Sequence, residues 1–265
     1  MLIESFAITM HENYRELIWT LAKTDFKLRY HGSVLGYVWA ILKPLLMFLV
    51  LNFVFSSLFN PKNSGIEHYS LQLLTSIMLF NFFSEGTSAG LSSLISKSAL
   101  VTKIYVPRWT IIIAATLNAL LIFLMNLIVI AIFFTWYQFF PGIIPILTFF
   151  VYIILTYLII LGFSFIAAPI YVKFRDINQI WEVAVSAMFY ASPIVYPLSL
   201  LPIKYHAIIL ANPIAYIIHF TKMAITENHY APFWQNAIFA SAVILFFFAG
   251  ISVYRKLEKK IAENI

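Results

Sequence analysis

A chain of 265 residues that is 62% hydrophobic and only 11% charged is excluded from the ordinary soluble class, where about 25% of residues carry charge. The mean hydropathy of +0.89 and the absence of cysteine exclude a disulfide framework and a thiolate metal site, and place the chain in a bilayer. Its net charge of +6 is first a topology signal, because Lys and Arg are retained on the cytoplasmic side of a membrane.

Six spans of about 20–25 residues would use about half of such a chain. That leaves short loops and a single all-α transmembrane domain over residues 1–265. The opening MLIESFAITMHENYRE lacks a basic n-region, a continuous apolar core and a small-residue cleavage site, so it reads as mature protein. Residues 1–33 form the approach to the membrane. From Glu12 to Lys23, Tyr14, Leu17, Ile18, Leu21 and Ala22 recur on one helical face. The spacing predicts an amphipathic interface helix in the headgroup plane; packing on a soluble partner would give the same pattern.

Asp25, Lys27 and Arg29 lead to a turn at His31-Gly32-Ser33, and span one follows over about Val34–Phe59. Lys43 lies about 6 Å deeper than Trp39 at 1.5 Å per residue, which a lysine side chain reaches by snorkelling. Pro44 bends that helix without ending it. A polar loop, Asn60–His68, precedes span two at about Tyr69–Gly90. Glu85 near its inner end is a carboxylate at membrane depth, and so close to the interface it reads as solvated or paired. Residues 91–108 are too polar and too short to span, and Lys97, Lys103 and Arg108 place them inside.

Spans three, four and five are expected at Thr110–Trp136, Ile143–Val172 and Ile180–Tyr196. Between them fall an uncharged outer turn at Pro141-Gly142 and a charged inner turn over residues 173–176. Residues 197–232 are apolar but broken by Pro202, Pro213 and Pro232, with His206, His219 and Lys222 scattered along them. Irregular backbone at membrane depth must be buried in protein or line a cavity, which predicts a re-entrant pair of short outer helices. Span six covers Trp234–Tyr254 and exits into a basic tail. Thirteen of the seventeen Lys and Arg residues then lie inside, and both termini are cytoplasmic.

The chain has no GxxxxGK followed by Ser or Thr, no HExxH and no GxSxG, so neither a P-loop nor the commonest hydrolytic sites are present. Its six histidines show no metal-ligand spacing, and the Glu227/His229 pair alone is a weak cation signal. These observations predict a chain that is not an enzyme, with no metal and no cofactor of its own. Nothing in the pattern points to nucleic acid. The 26 Phe and 15 Tyr offer faces on which sugar rings pack, but aromatics also fill helix contacts and interfacial belts.

Several stretches carry a resemblance. They are Arg29-Tyr30, Gly32-Ser33, Leu35-Gly36-Tyr37 and Trp39 before Pro44; Leu100 to Arg108; Lys173 to Ile177; Ser192 to Pro197; Leu201-Pro202; Asn212-Pro213; and Arg255 to Lys259. In this order and spacing the chain resembles, from about Tyr14 to Ala262, the permease subunits of bacterial polysaccharide ABC exporters. Thr102 departs from the family, which often carries a first lysine there.

The resemblance implies a homodimeric pore in the bacterial inner membrane, bound from the cytoplasm by two ATP-binding-cassette subunits that hold the ATP. The cargo would be a polysaccharide on a polyprenyl pyrophosphate, O-antigen foremost, with capsule or teichoic acid as alternatives. It further implies a coupling helix at Leu91–Tyr105, with Leu91, Leu94, Ile95, Lys97 and Lys103 facing the ATPase. An outer gate would include Pro193, Tyr196, Pro197 and Pro202. Lys27 and Arg29 lie where the lipid pyrophosphate would meet the membrane surface, and charge-assisted contacts would hold it there. Competing readings are a drug or small-lipid exporter of the same superfamily, a polyprenyl glycosyltransferase, which would need acidic residues on a large loop, and a secondary transporter, which would show repeats.

Overall fold

The computed structural model describes residues 14–56, 68–98 and 106–261. Within them the chain is helical. In order run α1 (Tyr14–Arg29), α2 (Trp39–Phe55), α3 (Tyr69–Ser96), α4 (Arg108–Trp136), α5 (Ile143–Lys173), α6 (Ile177–Ala191), α7 (Ile203–Leu210), α8 (Pro213–Thr226) and α9 (Phe233–Ile261). Short 3₁₀ turns at Gly36–Val38 and Leu198–Leu200 lead into α2 and α7.

The amphipathic α1 docks on α4. Tyr14 meets the edge of Trp109 at 5.5 Å between ring centroids, and Leu17 joins a buried cluster that includes Leu94, Ile111 and Tyr254. Its apolar face is therefore covered by the chain's own bundle. The link to α2 turns through Gly32 and Gly36, both at positive φ (79° and 47°) where a side chain would be strained. Pro44 sits inside α2 without ending it.

At the centre stands α3, 28 residues long and buried from Leu71 to Phe80 without interruption. It packs against α2, α4, α5, α6 and α8. Its many hydroxyls survive burial by bonding to the preceding turn: Thr75 donates to the Leu71 carbonyl at 2.8 Å and Thr87 to that of Phe83 at 2.8 Å. Small residues let neighbouring backbones close on one another. A Cβ on Gly90 would lie 2.5 Å from Ser164 Cβ of α5, and one on Gly250 of α9 only 2.5 Å from the Gly162 carbonyl oxygen of α5.

Among the described residues, four helical segments are long and apolar enough to cross a membrane alone: Gly36–Phe55, Arg108–Trp136, Ile143–Lys173 and Phe233–Glu258. The helices expected as spans two and five, α3 and α6, are not among them. The first is rich in Ser, Thr, Asn and Gln and is shielded inside the bundle, and the second has only 15 residues. Span two, expected to end at Gly90, continues to Ser96, while span five, expected to reach Tyr196, stops at Ala191. In 197–232 two short helices do form; α7 and α8 meet at 113°. Asn212 caps α8 by accepting from the Ile214 amide at 3.2 Å, with Pro213 in the first turn.

Candidate functional site

Two regions concentrate polar chemistry within this apolar bundle. The first is a cleft of about 360 Å³ between the end of α1 and helices α2, α3 and α4, with Phe189 of α6 at its border. Arg29 reaches into it and pairs with Glu85, Nη2 to Oε1 at 2.9 Å, each side chain 37% exposed. The second Glu85 oxygen is closed off from solvent and has no hydrogen-bond partner among the described residues. Lys43 lines the same cleft. A snorkelling lysine was the expectation there; the side chain belongs instead to the wall of a cavity shared with Glu85, Asn81 and Asn126.

Two cations face one carboxylate across this cleft, so it holds an excess of one positive charge. Burial raises the pKa of the neighbouring Tyr30 phenol, outweighing the opposing pull of Arg29. An anion of phosphate size entering this cleft would meet both a guanidinium and an ammonium on its wall. Lys27, named together with Arg29 from sequence, is exposed and lies outside the cleft wall.

Beyond the cleft, α1 is tied to the end of α3 by a second ion pair. Lys97 donates to Asp25 at 2.5 Å, with side chains 17% and 22% exposed. Of the residues expected on a separate coupling helix, Leu91, Leu94 and Ile95 occupy the last turns of α3, and Lys97 follows its last residue. Leu91 and Leu94 are fully buried in the chain's own core and Ile95 is half-buried. Within this helical stretch Ser92, Ser93 and Ser96 satisfy their hydroxyls by donating to the Ser88, Gly90 and Ser93 carbonyls. Lys103 lies outside the described residues.

The second region is the elbow after α6. Pro193, Tyr196 and Pro197 line a cleft of about 120 Å³ together with His219, Lys222 and Glu227; Pro202 does not, and caps α7 instead. Lys222, expected among outer-loop cations, sits inside α8 and is only 7% exposed. Its ammonium donates to the Pro193 and Ile194 carbonyls at 2.5 and 2.8 Å. The Tyr69 hydroxyl donates to the next carbonyl, Val195, at 2.8 Å. Three successive carbonyls are thus held by side chains from two helices. Among the described residues no group of His, Asp and Glu could hold a metal ion.

Sequence reasoning missed both ion pairs and the role of Lys222. Glu85 did carry a signal, since a carboxylate at membrane depth requires a partner. Nothing in the residue pattern singles out Asp25 or the elbow carbonyls.

Comparison with known proteins adds the remaining finding. Residues 16–226 match the family model described as ABC-2 type transporter. An O-antigen export system permease protein RfbA of Klebsiella pneumoniae is 26% identical over 253 residues, 94% of each chain. A protein of the same name from Myxococcus xanthus is 26% identical over 255 residues, 95% of this chain and 96% of that one. The polysialic acid transport protein KpsM of Escherichia coli is 23% identical over 240 residues, 89% of this chain and 91% of that one.

Proposed function

We propose that this chain, which belongs to the ABC-2 type transporter family, is the membrane permease of an ATP-driven exporter of polysaccharide, with lipid-linked O-antigen as its cargo. The observation that carries the reading is the near end-to-end match to permeases named for O-antigen export, with a polysialic acid transporter beside them. Cargo and mechanism then follow from chemistry. The chain contains no P-loop sequence, so hydrolysis falls to separate ATP-binding subunits on the cytoplasmic side. Two copies of the permease would enclose the pathway, as a two-fold assembly ordinarily does.

In this reading α3 and α6 join the four long apolar helices as spans two and five, giving six. Both termini face the cytoplasm of a bacterial inner membrane. The Arg29/Lys43 cleft supplies the electrostatic site for the lipid's pyrophosphate, and α1 is the interfacial helix that frames its entrance. Arg29 carries this role and Lys27 does not, because only Arg29 lines the cleft. The inner end of α3, through Ile95 and Lys97, lies nearest the ATPase, with Lys103 in the connection beyond. The bent α7–α8 pair and the elbow at Pro193–Pro197 form the outer gate.

Deleting the gene tests this directly. Surface polysaccharide should disappear while its lipid-linked precursor accumulates inside the cell, and affinity purification of the tagged chain from its own membranes should bring down an ATP-binding-cassette subunit. Unchanged surface polysaccharide in the deletion strain would refute the cargo. An unchanged glycan profile together with a co-purified ATPase would point to a drug or small-lipid exporter instead.

A further inference from the structure

The cleft that holds Arg29 and Lys43 also carries acceptors that the chain itself leaves unanswered. Asn126 of α4 lines it and is only 5% exposed. Its amide nitrogen donates to the Ile122 carbonyl at 3.0 Å. Its oxygen, Oδ1, is closed off from solvent and has no hydrogen-bond partner among the described residues, and Glu85 Oε2 is in the same condition. Buried acceptors of this kind cost free energy and ordinarily have a donor. Both residues line one cavity, so an occupant of that cavity is what can bring the donors.

The two acceptors lie at different levels. Phe82 of α3 stacks on Phe123 of α4, at 4.6 Å between centroids, and a Cβ on Gly90 would lie 3.1 Å from Thr116 Cγ2. These contacts make α3 and α4 antiparallel. Glu85 is therefore three residues to one side of the Phe82–Phe123 contact and Asn126 three residues to the other, about 9 Å apart along the axis at 1.5 Å per residue. Arg29 is bound at the Glu85 level. The cleft thus grades from charge at one end to a neutral amide at the other. Its volume of about 360 Å³ is near the lower end of the range for small-molecule sites, about 300–1,000 Å³. That is room for a head group rather than for a polymer.

We propose that this cleft recognises the first sugar of a lipid-carried glycosyl pyrophosphate as well as its phosphates, with Asn126 as the residue that selects the sugar. Arg29 and Lys43 take the phosphate oxygens. One sugar hydroxyl donates to Asn126 Oδ1, and another, nearer the phosphate, donates to Glu85 Oε2. Trp39 on the wall offers a face for the ring. An ionised pyrophosphate alone brings acceptors and no donors, so it leaves both buried oxygens unanswered. A sugar joined to phosphate supplies anionic oxygens and O–H donors in one unit, and a site built to bond a hydroxyl rejects the analogue that lacks it. The inference rests on the pyrophosphate reading above and adds to it the selection of a loaded carrier over an empty one.

The test compares two probes on the purified full-length permease in complex with its ATPase, without ATP. One is geranyl pyrophosphate; the other is the same molecule carrying one glucose on its terminal phosphate. Glucosylation removes part of the phosphate charge, so electrostatics alone would favour the bare probe. The native chain should nevertheless bind the glucosylated probe about fivefold more tightly or better. Asn126→Leu removes the acceptor while keeping a branched side chain. It should erase that preference and leave the affinity for the bare probe within about twofold of native. Arg29→Gln should weaken both probes by about tenfold.

Equal or weaker binding of the glucosylated probe by the native chain, with both probes weakened by Arg29→Gln, would overturn the sugar site and leave the pyrophosphate reading standing. Bare-probe binding that Arg29→Gln does not weaken would overturn both. A sugar preference that survives Asn126→Leu would overturn the assignment to this residue. Two competitors fix the source of the ligand: UDP-glucose has the sugar and phosphates without the lipid, and phosphatidylglycerol has hydroxyls and phosphate without the sugar. Displacement of the glucosylated probe by either at equal concentration would overturn the choice of a lipid-carried sugar.

Discussion

Gly90 offers the most quantitative test of the packing. Gly90→Ala places a methyl 1.9 Å from Ser164 Oγ, 2.5 Å from Ser164 Cβ and 3.1 Å from Thr116 Cγ2. The hydroxyl could rotate away only by leaving its 2.6 Å bond to the Ile160 carbonyl, and the Cβ cannot move without its helix. Carbon atoms pack at about 3.5–4.0 Å, so α3 and α5 must separate by about 1 Å at their crossing. Overpacking costs about 1–3 kcal/mol, and a carbon–carbon approach of 2.5 Å falls in the upper half of that range, about 2–3 kcal/mol, while alanine's better helix propensity returns about 1 kcal/mol. A net loss of about 1–2 kcal/mol is expected, read as a shift in the unfolding midpoint in mixed detergent. Ser164→Gly in the same chain removes both clashing atoms and should recover most of the loss. Unchanged stability in Gly90→Ala, or a loss that Ser164→Gly leaves untouched, would refute the close approach of these helices.

Gly250→Ala meets backbone alone, the Gly162 carbonyl at 2.5 Å and its Cα at 3.0 Å, so it should cost about 3 kcal/mol in the same assay and respond to no side-chain change on α5. Lys222→Met strips two elbow carbonyls of their donor. The cost of burying the ammonium disappears with it, so the net loss should be about 2 kcal/mol, accompanied by faster proteolysis between Ser192 and Pro197. Thr87→Val removes the acceptor for the Trp181 indole and should lower stability by about 1 kcal/mol, detected as a reduced thermal midpoint. For topology, an impermeant maleimide added to intact cells should label Gln138→Cys in the turn after α4 and leave Ser98→Cys unlabelled; the opposite pattern would invert the chain in the membrane.

Hydropathy and charge made the helical class, the long apolar helices and the bend near Pro213 legible, because each depends on residues adjacent in sequence. The C-terminal end of α3 was not legible. Residues 91–98 read as a polar inner segment, yet their serines bond to the helix's own carbonyls and two leucines turn inward. Leu94 is therefore closed inside the permease, and Leu94→Asp would disturb its own fold before it disturbed any ATPase contact. The ion pairs were equally hidden. Arg29 and Glu85 lie 56 residues apart, and Lys97 and Asp25 lie 72 apart; only the folded bundle selects such partners. Lys222 reads as a loop cation in sequence because its acceptors are main-chain atoms, which leave no trace in side-chain pattern.

The central helix has a mechanical consequence. Twenty-eight residues at 1.5 Å each make α3 about 42 Å long, and it carries attachments at both extremes. Lys97, just past its C-terminal end, grips Asp25 of α1, while Tyr69 and Gln72 in its first turn hold the Val195 carbonyl and Thr226. A continuous helix resists compression along its axis, so the ion pair at one end and the elbow contacts at the other are tied to a single stiff element, with no flexible joint between them.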